Sequence, residues 1–444
     1  MADGAAEAQG VRIFRGHVLD TLPTLPEAFA QTCVTSPPYW GLRDYGTTPV
    51  DWPEVTYSPM PGLAPCTIPA QQASLGLEVD PNAYVAHLVA VFREVARTLR
   101  PDGTLWLNLG DSYAGSRRGP QGKRGVRQGR ASTCNFGAAT EAVGYAAKAL
   151  IPQPWLVAFA LQADGWILRS WIPWVKRNPM PGSQRDRPTA SCETVFLFGH
   201  PQSKGRYAYD HEAVKVIATG KPQRRNKPHK KRIAVSGAAV GHPPHRFDGA
   251  EQRDTPRPDT KDGKRTWRTS DAFFGSLRAI LAGGQGMLAN DDGDPLALVV
   301  NTKGYKGAHF AVFPPHLVEP CIKAGAPERG CCAHCGTPWQ RVVVKGAPAA
   351  DWREHDTPRE LRGKNSVRSE GQLSEVGRFA RATRTTGWKP GCACPDADTV
   401  PCVVLDPFGG AGSTGVAAEK LGRLAVLCEL SDDYADQAEA RVSR

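Results

Sequence analysis

Val403-Val404-Leu405-Asp406-Pro407-Phe408-Gly409-Gly410-Ala411-Gly412-Ser413-Thr414 reads as a short apolar strand, a glycine-rich turn and the start of a helix. Glycines at 409, 410 and 412 let backbone approach a ligand closely, and an alanine-rich helix over 413–420 would point its N-terminus at it. The spacing is not GxGxxG, so the dinucleotide fingerprint is not matched. A second apolar strand, Leu424 to Leu427, ends near Glu429. An acid at the tip of the second strand is placed to accept hydrogen bonds from ribose hydroxyls. This order specifies an α/β sheet with a nucleoside-type ligand on the turn.

The rest of the chain extends the same pattern. Val11–Phe14 and Thr32–Thr35 are short apolar segments that read as buried strands. Asp80 to Leu99 carries apolar residues at helical spacing, with Asp80 as N-cap and Pro81 in the first turn. Pro101-Asp102-Gly103 reads as a turn before a strand over Thr104–Leu109. Pro154–Ala163 reads as a helix stopped by Gly165, and Trp166–Trp171 and Thr194–Phe198 as strands. This alternation indicates an α/β sheet rather than a sandwich.

Ser36-Pro37-Pro38-Tyr39 follows the strand 32–35 directly. Two prolines fix the backbone and remove two N–H donors, which leaves the Ser36 oxygen and nearby carbonyls as a cluster of acceptors. An exocyclic NH₂ on a flat base needs such acceptors, because its lone pair is delocalised into the ring. Tyr39 is suited to stack on a base that has left the duplex, a step costing a few kcal/mol.

Charge supports an anionic partner. The 444 residues hold 55 Lys and Arg against 44 acids, a formal charge of +11. Two stretches are basic without a single acid. One is 115–130, with Arg117, Arg118, Lys123 and Arg124; the other is 221–232, with Arg224, Arg225, Lys230 and Lys231. Neither has a periodic apolar face, and both suit contact with phosphates. From 216 to about 298 the only fold signal is a short helix around 270–281. No apolar run approaches the roughly 18 residues of a membrane span, so a cytoplasmic protein is expected.

The twelve cysteines then read as thiols or metal ligands. Cys332-Ala-His-Cys335 precedes Gly336 in a knuckle-like turn, and Cys392-Ala-Cys394 follows far downstream. Four thiolates from Cys332, Cys335, Cys392 and Cys394 suit a structural zinc, with Cys331, His334 and Cys402 as alternative ligands.

Taken together these segments resemble the amino-group DNA methyltransferases, the N4-cytosine/N6-adenine family that uses S-adenosylmethionine. Asp406–Thr414 is similar to the family's cofactor motif and Ser36–Tyr39 to its catalytic motif. His309-Phe310-Ala311-Val312-Phe313-Pro314 resembles the segment that closes over the cofactor's methionine end, and 100–113 and 174–178 resemble internal segments. The resemblance implies a Rossmann-like mixed seven-stranded sheet with helices on both faces. It implies the β-type motif order, catalytic before cofactor. It assigns Ser36, Pro37, Pro38 and Tyr39 to catalysis. It assigns Asp406, Phe408, Gly410, Gly412, Thr414, Glu429, His309, Phe310 and Phe313 to the cofactor. The family has Gly-Asp before the catalytic strand; here His17 follows Gly16, and Asp20 is the nearest acid for the cofactor's adenine.

The expected organisation is 11–215 as the catalytic half and 216–298 as a target-recognition insertion. The cofactor half is 299–330 with 396–444, and 331–395 is a zinc-binding insertion. The expected reaction is direct methyl transfer to cytosine N4 in double-stranded DNA, with adenine N6 as the alternative. An RNA methyltransferase or an inactive DNA-binding homologue are more distant alternatives.

Overall fold

The computed structural model describes residues 10–42, 44–114, 144–146, 148–176, 191–214, 286–289, 295–299, 314–345, 383–395 and 398–443. Nine strands form one sheet: β1 Val11–Arg15, β2 Ala30–Thr35, β3 Leu99–Leu109, β4 Ile167–Val175, β5 Cys192–Gly199, β6 Gly286–Ala289, β7 Pro295–Val299, β8 Val403–Asp406 and β9 Leu424–Glu429. Their order across the sheet is β1-β9-β8-β2-β3-β5-β4-β7-β6. The first seven in that order are the expected mixed seven-stranded sheet. β7 and β6, in the stretch read from sequence as an insertion and its border, extend it at one edge. β1, β9, β8, β2 and β3 run parallel, while β5 runs antiparallel between β3 and β4.

Helices cover both faces. α1 Pro81–Thr98 and α2 Gln153–Ala163 pack on one side, where Phe92, Phe196, Phe198 and Leu161 are wholly buried. α3 Pro315–Gly325 and α4 Ser413–Lys420 pack on the other, around Leu317, Ile322, Ala417 and Leu427. α5 Asp432–Val442 lies against α4 and β1. Each large apolar side chain withdrawn from water contributes about 1.5–3 kcal/mol.

The caps expected for α1 are present: the Asp80 side chain accepts from Asn82 N at 2.8 Å and Pro81 occupies the first turn. The turn expected at 101–103 is instead part of β3. Ala30 pairs with Leu99 and Thr32 with Thr104, so the surplus residues of β3 form a bulge opposite Gln31. The Arg100–Asp102 ion pair at 2.9 Å spans that bulge.

Beneath the segment that follows β2 lies a buried polar cluster. His87 Nδ1 and Glu78 Oε1 are 2.9 Å apart, with both side chains essentially inaccessible. Glu78 Oε2 accepts from Gly76 N at 2.8 Å, and the Glu78 carbonyl accepts from Trp40 Nε1 at 2.9 Å. Trp52 stacks on His87 at 4.3 Å. Truncating one member strands its buried partners. Glu78→Ala is therefore expected to cost about 3–5 kcal/mol, measured as a lower urea midpoint with an unchanged m-value.

Candidate active site

Several segments converge on the carboxyl edge of the parallel strands, where ligands bind in open α/β sheets. Ser36 follows β2, Gly110 follows β3, Lys176 follows β4, Pro407–Gly412 follow β8 and Glu429 ends β9. Because β5 is antiparallel, its first residues, Cys192 and Glu193, arrive at the same edge.

Asp406 joins the two halves. Thr35 Oγ1 donates to its Oδ1 at 2.7 Å, and Thr414 Oγ1 donates to its Oδ2 at 2.6 Å. The Phe408 N–H adds a third bond, to Oδ1 at 3.1 Å. The residue is 3% exposed, and burial pushes its carboxyl up from the usual range while these three donors pull it back. Thus the residue immediately before Ser36 is bonded to the last strand residue before the glycine turn, 371 positions away.

Ser36 sits half-buried in a polar network. Its Oγ donates to Tyr39 OH at 3.3 Å, and Tyr39 OH donates to Glu193 Oε2 at 2.9 Å. Asn108 Nδ2 donates to Tyr39 OH at 2.6 Å and to Ser36 Oγ at 3.3 Å. Glu193 Oε1 is paired with Lys176 Nζ. Burial, followed by the nearby Glu193 charge, holds the Tyr39 phenol well above its ordinary range, so it is a neutral O–H at pH 7. The Pro38 carbonyl accepts from Tyr84 OH at 2.9 Å. Close approach requires glycine at 110, where a β-carbon would lie 2.7 Å from Tyr39 Cε2.

The glycine turn wraps the tip of β9. Gly409 N donates to Cys428 O at 2.8 Å and Gly410 N to Glu429 Oε2 at 2.7 Å. Ser431 N holds Glu429 Oε1 at 2.8 Å, and burial raises this carboxyl. Each carboxylate oxygen keeps acceptor capacity for a hydroxyl. Gly412 caps α4 in the left-handed region at φ +75°, its Cα side against Ala438, where a β-carbon would meet Cβ at 2.9 Å. Phe408 is half-buried beside this turn.

Other expected residues are exposed or fall outside the described residues. Asp20 is exposed on the one-turn helix Val18–Thr21. At position 17 the imidazole is buried edge-on against Trp52 at 4.7 Å, and burial lowers its basicity. His309, Phe310 and Phe313 lie outside the described residues, as do Arg117, Arg118, Lys123, Arg124, Arg224, Arg225, Lys230, Lys231 and the helix expected near 270–281. Conversely, sequence reading gave no role to Thr35, Asn108, Glu193 or Lys176. The one local signal for Glu193 is a lone acid opening the apolar run Val195–Phe198.

The four cysteines do meet. The Sγ atoms of Cys332, Cys335, Cys392 and Cys394 all lie within 4.8 Å of one another. A tetrahedral site with ~2.3 Å Zn–S bonds has S···S edges of about 3.8 Å, so this donor set fits one zinc ion. Cys331 and Cys402 are buried free thiols, donating to the Val400 and Pro327 carbonyls respectively, and His334 is exposed. The knuckle rests on the far edge of the sheet from Ser36. Arg100 donates to Cys335 O and to Thr337 Oγ1, and Gln31 Nε2 donates to Gly336 O at 3.3 Å.

The family model N6_N4_Mtase, described as DNA methylase, matches residues 30–333 and 402–440, and the chain belongs to this family. Type II methyltransferase M.XycI of Xanthomonas campestris pv. cyanopsidis is 32% identical over 316 residues, 71% of this chain and 73% of that protein. Type II methyltransferase M.SmaI of Serratia marcescens is 28% identical over 98% of this chain and 91% of its own length. Among solved structures, the PvuII DNA methyltransferase (cytosine-N4-specific) aligns at a TM-score of 0.44 and 13% identity, over 98% of this chain and 86% of that one. Among the described residues no helix is long and apolar enough to cross a membrane.

The packing of Gly110 on Tyr39 can be tested directly. Gly110→Ala should drive Tyr39 out of its position and slow single-turnover methyl transfer by on the order of 10²-fold. The accompanying loss of stability should be only about 1–3 kcal/mol, read by urea titration.

Proposed function

We propose that this protein is a site-specific DNA methyltransferase that places a methyl group on the N4 amine of cytosine in double-stranded DNA. The observation that carries this reading is the Ser36 hydroxyl, half-buried at the carboxyl edge and bonded through its neighbour Thr35 to the glycine turn. The relatives named Type II methyltransferases support sequence-specific action.

S-adenosylmethionine would supply an electrophilic methyl group on a sulfonium. Glu429 would accept hydrogen bonds from its ribose, and Phe408 with the turn at Gly410, Gly412 and Thr414 would frame it. The target base leaves the duplex, at a cost of a few kcal/mol, and enters beside Ser36. Ser36 Oγ and the Pro37 carbonyl accept from the two N–H groups of the amine, which favours a pyramidal, nucleophilic nitrogen. Tyr39 borders the base. Catalysis is then mainly positioning and exclusion of water. No cysteine nucleophile is called for, and Cys33 is a buried strand thiol.

The basic stretches at 117–124 and 224–231 would bind phosphates, and 216–298 would carry target recognition. Serine at the first motif position favours cytosine by resemblance; adenine N6 presents the same donor pair to Ser36. Digestion of methylated DNA to nucleosides and mass analysis decides between them. N4-methylcytosine is the expected product, and N6-methyladenine would replace cytosine by adenine in this reading. Ser36→Ala should reduce transfer by about 100-fold or more, with near-wild-type turnover overturning the assignment.

The four-cysteine cluster is proposed to hold a structural zinc that pins the 332–337 knuckle and the 392–394 segment together. Elemental analysis of purified protein should give about one zinc per chain, lost in the Cys392→Ser/Cys394→Ser double variant. Protein free of metal yet equally heat-stable would rule the site out.

A further inference from the structure

The network around Ser36 has a direction, and its end lies in a residue with no role in the scheme above. Ser36 donates to Tyr39 at 3.3 Å, and Tyr39 donates to Glu193 at 2.9 Å. Asn108 points N–H groups at both hydroxyl oxygens, at 3.3 and 2.6 Å, so neither can turn its proton back toward Asn108 Nδ2. Both hydroxyl protons are thereby set to run toward the carboxylate. Ser36 Oγ keeps lone-pair capacity for a donor arriving from outside the network.

Direct methylation of an aromatic amine creates a disposal problem. As the N–C bond forms, the nitrogen becomes cationic and must shed a proton. Ser36 can take that proton only by passing on its own.

We propose that Glu193 is the destination of the proton released by the target amine, reached through Ser36 and Tyr39. The inference rests on the base-methylation reading of this site. The amine nitrogen bonds to the methyl carbon as that carbon's bond to sulfur breaks, and the sulfur keeps the electron pair. One N–H of the amine then passes its proton to Ser36 Oγ. The Ser36 proton moves to Tyr39 OH, and the Tyr39 proton to Glu193 Oε2. Both hydroxyls end neutral, the methylated amine ends neutral, and the carboxylate becomes a carboxylic acid. Solvent later removes that proton.

The surroundings of Glu193 suit this task. Its side chain is 19% exposed, so it can return the proton to water between turnovers. Lys176, from the end of β4, pairs with Oε1, while Oε2 accepts from Tyr39 at 2.9 Å and from Asn108 Nδ2 at 3.4 Å. Asp111, beyond the end of β3, and Cys192, on β5 itself, are the other titratable groups of the described residues that feel its charge. Glu193 touches neither the amine nor the methyl group, and so acts as a positioning residue at the end of a relay.

The test compares Glu193→Gln, Tyr39→Phe, their double variant and Glu193→Asp in single-turnover methylation of a DNA substrate. Calorimetric binding of S-adenosylmethionine and of DNA is measured in parallel. Glu193→Gln and Tyr39→Phe should each slow transfer by about 100-fold with both affinities unchanged. The double variant should be no slower than either, because one chain is cut twice. Glu193→Asp should recover part of the rate lost in Glu193→Gln, which a merely structural role would not allow. A Glu193→Gln rate within twofold of wild type, or a loss that follows weakened binding, would overturn the relay. If Ser36→Ala is inactive in the same assay, the base-methylation reading survives that failure. If the wild-type protein leaves no methylated base in DNA, both fall together.

Discussion

The Asp406 carboxylate is the constraint on which the site depends. It is a buried anion whose burial is tolerated only because Thr35, Thr414 and the Phe408 N–H satisfy it. Those donors come from the strand before Ser36, from the first turn of α4 and from the glycine turn. Satisfying one carboxylate therefore ties the Ser36 segment to the glycine turn. Parallel pairing of β8 with β2, Val404 to Thr32 and Leu405 to Cys33, supplies the register that makes this geometry possible.

Around that anchor the polar groups fall into two layers. Ser36, Tyr39, Asn108 and Glu193 form one hydrogen-bonded network at the carboxyl edge of the sheet, with Lys176 balancing the carboxylate. Below the loop, Glu78 and His87 hold Trp40 and Gly76, and Gly76 O accepts from Gly41 N at 2.8 Å. The acceptor loop is thus held from beneath by buried hydrogen bonds and from the side by the glycine at 110. Rotamer freedom at Tyr39 is small, which suits a site whose contribution is positioning.

Much of this is legible in the sequence. The strands at β1, β2, β8 and β9, the Asp80-Pro81 start of α1, the glycine turn and the four cysteines all carry local signals: periodicity, turn chemistry or short spacing. What escaped depends on register or tertiary context. Glu193 meets Tyr39 because β5 is antiparallel and pairs Thr194 with Leu109, a fact that no window of sequence contains. The Pro101-Asp102-Gly103 turn signal was overridden by a bulge spanned by an ion pair. α3 had no place in the sequence reading; it carries Pro320 inside it. Nor had α5, which buries only Ala435 and Ala438. The substitution of His17 for the family's acid was visible, but its packing against Trp52 was not.

The sheet order also bears on how the chain is made. Among the described residues β1 pairs with β9, and β2 has β8 on one side, so the amino-terminal strands find these neighbours only when residues 403–429 have been synthesised. A nascent chain on the ribosome holds the acceptor loop but leaves β1 without its partner and one edge of β2 bare. Contacts of such high sequence separation form slowly and leave strand edges open to misassociation while they wait. The enzyme therefore becomes competent late and all at once, when its last two strands insert between its first two.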